Sequence, residues 1–116
     1  VQSEIKAKGV PWEREKAFDG AAVMSSVVSI ETNDIDKLSL QLWINGVLVQ
    51  EGGVELMIYK PLAIVEEINS FSTLMENDIV MSGTPKGVGS YVKGDVFVGK
   101  IFIDKKEILS QEWIAQ

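Results

Sequence analysis

Between Leu38 and Gln50 the chain alternates. Leu38, Leu40, Leu42 and Ile44 fall on one parity, with Ser39, Gln41 and Trp43 on the other, which is the period of a strand with one face turned to a core. The run ends in Asn45-Gly46. That pair is the strongest short-range hairpin signal, because a type I′ turn needs positive φ at both central residues. The spacing predicts a hairpin of Leu38–Ile44 with Val47–Gln50, and any fold for this chain has to extend a sheet from it.

The material for such a sheet lies downstream. Asp78–Ser82, Val96–Ile103 and Glu107–Ile114 are short runs rich in Ile, Val, Phe and Trp, separated by Gly, Pro, Asn, Asp and Lys, and they read as strands. Pro61 opens a different pattern. Ile64, Val65, Ile68 and Phe71 recur at helical spacing with Glu66, Glu67 and Asn69 between them, so a helix of about three turns is expected. Val1 and Ile5 are one helical turn apart ahead of Gly9 and Pro11, as in the last turns of a helix. That pattern has no capping residue or initiator Met in front of it and reads as an N-terminus cut from a longer chain. Glu31–Asp36 reads as an exposed polar loop. The 116 residues make one domain at most. The fold class expected is α+β, mostly β, with one or two short helices.

Charge and composition narrow the chemistry. Seventeen Asp and Glu against eleven Lys and Arg leave a net charge of -6, the wrong sign for neutralising a phosphate backbone or an anionic bilayer. Nucleic acid and membrane are therefore not expected as partners. No apolar run approaches the roughly 18 residues of a membrane span, and no secretory leader pattern is present, so a cytoplasmic location is expected. Cysteine and histidine are both absent, which removes thiolate nucleophiles, zinc–thiolate sites and the commonest general base. Chemistry done by these residues falls to Lys, Asp, Glu, Thr, Ser, Tyr and the backbone.

Two segments could carry it. In Gly9-Val10-Pro11-Trp12-Glu13-Arg14-Glu15-Lys16-Ala17-Phe18-Asp19-Gly20 a lysine stands among aromatic and charged residues. Partial desolvation of such an ammonium would let it move protons or stabilise an enolate; a solvated surface lysine is the alternative. Trp12 and Phe18 beside it read as packing residues. The pairs Glu13/Glu15 and Asp34/Asp36 supply too few carboxylates for a hard cation. In Met81-Ser82-Gly83-Thr84-Pro85-Lys86-Gly87-Val88-Gly89 the glycines let backbone N–H groups and one hydroxyl come close to an anion. The order of residues fits neither the P-loop nor the dinucleotide fingerprint, and a plain tight turn is the alternative.

Taken together, the segments resemble the fumarylacetoacetate hydrolase family, whose members include acylpyruvases, oxaloacetate decarboxylases and hydroxyheptadienedioate isomerases. The matching pieces are Lys8-Gly9-Val10-Pro11-Trp12 with Lys16-Ala17-Phe18-Asp19; Asn45-Gly46 with Gln50 and Gly52; Met57-Ile58; and Asn77-Asp78-Ile79 through Ser82-Gly83-Thr84-Pro85-Lys86-Gly87-Val88-Gly89 to Gly94-Asp95. They span nearly the whole chain. The resemblance implies the family's mixed β-roll, with residues 1–116 as the C-terminal portion of one catalytic domain, usually found as a homodimer. It implies an Mg²⁺- or Mn²⁺-dependent hydrolase or C–C lyase acting through an enolate on a small anionic 2-oxo acid or 1,3-dicarbonyl acid. Acylpyruvate hydrolysis or oxaloacetate decarboxylation is the reaction expected, and isomerisation of a hydroxydienedioate is the alternative.

On matching positions, the resemblance makes Lys16 the catalytic lysine, with Gln2, Gly83 and Thr84 binding substrate. The family's metal ligands, a Glu-x-Glu pair and an Asp, would precede Val1, as would the His-Glu pair that activates water in hydrolytic members. Gly20 stands where some members carry a hydroxyl residue. Ala21-Ala22-Val23 replaces a frequent Ser/Cys-Pro, and Lys6 replaces a pocket tyrosine of the fumarylacetoacetate hydrolases proper. By itself the chain is expected to be inactive. A reading from another class, a non-catalytic β domain used for assembly, would show a wide exposed apolar patch with Lys16 and Thr84 far apart.

Overall fold

The computed structural model describes residue 17 and residues 19–116. The hairpin forms as the alternation demands. Strand β1 (Leu38–Ile44) returns as β2 (Val47–Gly53) through Asn45 at φ 51° and Gly46 at φ 81°, the positive pair of a type I′ turn. Strand β2 runs past Gln50 to Gly53, so the hairpin is longer than its apolar pattern indicated. Strands β3 (Val96–Ile103) and β4 (Lys106–Ile114) complete an antiparallel sheet in the order β2-β1-β3-β4.

Register sorts the side chains. Directly opposed residues of antiparallel strands share a face: Leu38, Leu40, Leu42 and Ile44 oppose Ile103, Ile101, Gly99 and Phe97, and Ile101 and Phe97 oppose Leu109 and Trp113. One face is thus almost wholly apolar. On the other, Gln41 pairs with Glu51 in register; Gln41 Nε2 donates to Glu51 Oε1 at 3.1 Å, and Trp43 Nε1 donates to Gln41 Oε1 at 3.1 Å. Gly99 is small because a Cβ there would come within 3.0 Å of the Trp113 ring. The Tyr91 and Phe97 rings meet edge to face at 5.4 Å, a favoured aromatic geometry.

Helix α1 (Pro61–Phe71) starts at the proline and ends where Ser72 N–H bonds Ile68 O at 2.9 Å. Lys60, just ahead of it, closes the turn out of β2 by donating its ammonium to Val54 O at 2.8 Å and Met57 O at 3.2 Å. The expected apolar stripe is only half covered. Ile64 and Ile68 are half-buried, whereas Phe71 is 75% exposed, because α1 barely touches the other described elements. Among the described residues Val54, at 6% exposure, is the one buried apolar side chain, while Ile58, Met81 and Val27 stand about nine-tenths open, at 92%, 90% and 89%. Among the described residues little packs over the apolar face of the sheet, so few side chains are covered.

Two sequence expectations fail. Residues 78–82 form no strand. Asn77 turns the chain at φ 73°, and Asp78 Oδ2 accepts the Met75 N–H at 2.8 Å. Among the described residues the segment that follows has no strand to pair with, and β-propensity without a partner makes no sheet. Glu31–Asp36 is not a plain loop, since Thr32–Lys37 winds into a 3₁₀ helix with Asp34 N–H bonded to Glu31 O at 2.9 Å and Asp34 Oδ1 3.4 Å from Lys37 Nζ. Among the described residues no helix is long and apolar enough to cross a membrane.

Candidate functional site

The glycine-rich segment packs against β2, one of the two outer strands of the sheet. Residues 83–89 meet it at three points. Gln50 Nε2 donates to Pro85 O at 3.1 Å. A Cβ placed on Gly52 would meet Pro85 Cβ at 3.1 Å, and one on Gly87 would strike the Val49 carbonyl oxygen and come within 3.0 Å of Gln50 Cγ. Gly83 and Gly87 hold φ of +116° and +111°, values that L side chains avoid.

Thr84, between Gly83 and the seated Pro85, is exposed. It stands next to Gly83, where nothing lies within 4 Å of a built Cβ. Of the four residues expected at the site, Gly83 and Thr84 are thus adjacent and accessible. Lys16 and Gln2 lie outside the described residues, as do the helix expected over Val1–Lys8 and most of the lysine segment. Ala17, Asp19 and Gly20 are exposed.

Other motif residues have structural work. Asn45 and Asp95 tie the hairpin turn to the start of β3: Asn45 Nδ2 donates to Asp95 Oδ1 at 2.9 Å, Val96 N–H donates to Asn45 Oδ1 at 2.9 Å, and Val92 N–H donates to Asp95 Oδ2 at 2.9 Å. The Val92 N–H, and after it the Asn45 amide, hold the Asp95 carboxyl below its ordinary pKa, since both bonds favour the ionised form. Spacing alone could not separate this clamp from a catalytic carboxylate. An open depression lined by Asp36, Lys37, Glu55, Asp104 and Lys105 mixes both signs of charge and includes neither Gly83 nor Thr84.

A divalent cation finds no seat here. Among the described residues no three His, Cys, Asp or Glu side chains are placed to hold a metal ion.

Comparison with known proteins now decides the family. Residues 1–111 match the family described as Fumarylacetoacetate (FAA) hydrolase C-terminal. The chain belongs to the fumarylacetoacetate hydrolase family. Over 96 residues, 82% of this chain and 43% of the relative, the mitochondrial oxaloacetate tautomerase of Homo sapiens is 42% identical. A crystal structure of a yeast fumarylacetoacetate hydrolase family protein superposes with a TM-score of 0.87 at 31% identity, covering 100% of this chain and 51% of that one. Fumarylpyruvate hydrolase of Pseudomonas aeruginosa, solved with Mn²⁺ and pyruvate, superposes with a TM-score of 0.78 at 26% identity over 100% and 49%. The chain spans about half the length of these relatives. Their sheet and this one share the fold expected from the sequence.

Proposed function

We propose that this chain is the C-terminal portion of a family enzyme that interconverts the keto and enol forms of a small 2-oxo diacid, oxaloacetate being the first substrate to test. The observation that carries the reading is the glycine-rich segment, seated on β2 with Thr84 exposed beside Gly83. The named activity of the human relative supports it.

The chemistry asks little of this chain's side chains. Tautomerisation moves one proton from the carbon beside the oxo group to the oxo oxygen, as the electron pair of the C–H bond becomes the C=C bond. No carbon–carbon bond breaks and no water is consumed, so the absence of histidine does not exclude this reaction. Thr84 Oγ1 and the backbone beside Gly83 would hold a substrate carboxylate and fix the reacting carbon. Lys16 would be the group that takes or returns the proton, with Gln2 holding the far end of the substrate. Hydrolysis or decarboxylation of related acids is the neighbouring possibility, since both pass through the same enolate.

The Mn²⁺ in the Pseudomonas relative supports a divalent cation, Mg²⁺ or Mn²⁺, which would act as a Lewis acid on the oxo-carboxylate. The described residues do not fit it, and its ligands are proposed to lie outside them. A homodimer in an aqueous compartment is proposed with it. The assembly-domain reading is favoured by one observation, the exposed Ile58, Met81 and Val27. A turnover assay separates the two. The complete polypeptide, supplied with Mn²⁺, is expected to tautomerise oxaloacetate, to stop when the cation is chelated, and to show a raised KM as Thr84→Val. A fully folded, metal-loaded protein without turnover on oxaloacetate or acetylpyruvate would favour assembly instead.

A further inference from the structure

We infer that Gln50 is a positioning residue for substrate binding, acting through the Pro85 carbonyl to fix where Thr84 is presented. The inference deepens the reading of the 83–89 segment as the substrate-carboxylate holder and rests on it.

The argument starts from what can hold such a segment still. Residues 81–85 belong to no helix or strand, and Pro85 has no N–H with which to anchor itself. Its carbonyl is its one backbone hydrogen-bonding group. That carbonyl is taken by Gln50 Nε2 at 3.1 Å, a bond spanning 35 positions and partly buried. Gln50 comes from the paired part of β2, in register with Leu42 of β1, so its backbone is fixed by the sheet and not by the loop it holds. Gly52, two residues along and on the same face, receives the Pro85 ring, with only 3.1 Å between a built Cβ and Pro85 Cβ. The amide grips the carbonyl while the glycine leaves room for the ring.

Thr84 is the residue next to this seat. Displacing Pro85 by a few tenths of an ångström moves the Thr84 hydroxyl by a similar amount, and sub-ångström errors in presented groups weaken ligand binding measurably. Gln50 itself need not touch substrate. Its polar side chain on a mostly apolar face of the sheet is explained by this bond, and Glu51, the next residue, already has its own partner in Gln41 on the opposite face.

The test uses the complete polypeptide with Mn²⁺ and oxaloacetate. Gln50→Glu keeps the shape and, when ionised, removes the donor. Gly52→Ala disturbs the same seat from its other contact. Two quantities are read: the rate of tryptic cleavage after Lys86, which reports loop seating without any reference to substrate, and the split between KM and kcat. Gln50→Glu is expected to speed cleavage after Lys86 and raise KM about five- to tenfold, as the loss of one hydrogen bond implies. The change in kcat per folded molecule is expected to stay within about twofold. Gly52→Ala should change both readouts in the same direction by less. Cleavage and KM both unchanged in Gln50→Glu would overturn the inference. So would a raised KM in Thr84→Val with none in Gln50→Glu, which leaves the substrate-holding reading intact. Faster cleavage in Gln50→Glu with KM unchanged in both Gln50→Glu and Thr84→Val would overturn that reading and the inference with it.

Discussion

Three glycines in one segment give a graded experiment, because each is small for a different reason. Gly89 has an ordinary φ and open space around a built Cβ; Gly83 has open space but φ of +116°; Gly87 has φ of +111° and a Cβ position that strikes the Val49 carbonyl oxygen. Gly89→Ala should therefore change stability by no more than about 0.5 kcal/mol, or raise it slightly by restricting the unfolded chain. Gly83→Ala meets only backbone strain, on the order of 1–3 kcal/mol. Gly87→Ala meets the same strain and an overpacking cost of about 1–3 kcal/mol more. A backbone oxygen held in a strand cannot rotate away as a side chain could. The total is capped by the free energy of lifting residues 83–89 off β2. Urea unfolding of the complete polypeptide gives the three differences from midpoints at constant slope, and tryptic cleavage after Lys86 shows whether the cap was reached. The order Gly89, Gly83, Gly87 is the expectation. Gly87→Ala costing no more than Gly83→Ala, with cleavage unchanged, would refute the seating of this segment on β2.

Other expectations are simpler. Asp95 has its carboxyl pKa lowered by folding. The stability it contributes is therefore complete above the unfolded value of about 3.9 and is lost as pH falls through the lower folded value. The gap in urea midpoint between the native protein and Asp95→Asn should narrow below about pH 4, and a gap constant from pH 7 to pH 3 would contradict the clamp. Val54→Ala, at the one buried apolar position described, should cost about 1–2 kcal/mol in the same unfolding measurement. Lys16→Ala should lower kcat by about 100-fold or more if the lysine moves the proton, while Mn²⁺ affinity measured by titration changes little; full turnover in that variant would remove Lys16 from the reaction.

Much of the fold was legible because it is local. Asn45-Gly46 specifies its own turn, the alternation through Leu38–Ile44 specifies which side faces inward, and Pro61 with Ile64 and Ile68 specifies a helix start and one stripe. Those signals need no knowledge of neighbours. Asp78–Ser82 misled because its residues suit a strand equally well whether or not a partner exists, and pairing is a long-range fact. Thr32–Lys37 misled in the opposite sense, since a short 3₁₀ turn stabilised by Asp34 and Lys37 has the same polar composition as a loop.

The site divides along the same line. Gly83 and Thr84, the proposed substrate holders, were nominated from sequence, because a glycine-rich run with one hydroxyl suits either a tight turn or an anion site and the family resemblance chose between them. That Gln50 holds Pro85, and that Asn45 and Asp95 clamp each other and not a ligand, required the tertiary structure. Both contacts join residues 35 and 50 positions apart, and a side-chain amide carries no mark of its partner until the sheet brings that partner within about 3 Å. The sequence by itself determined the hairpin, the last two strands and the chemical character of the loop, through dihedral preference and hydrophobic period. Only the tertiary structure decided where the loop rests and which polar side chain holds it there, because that depends on how the strands are ordered across the sheet.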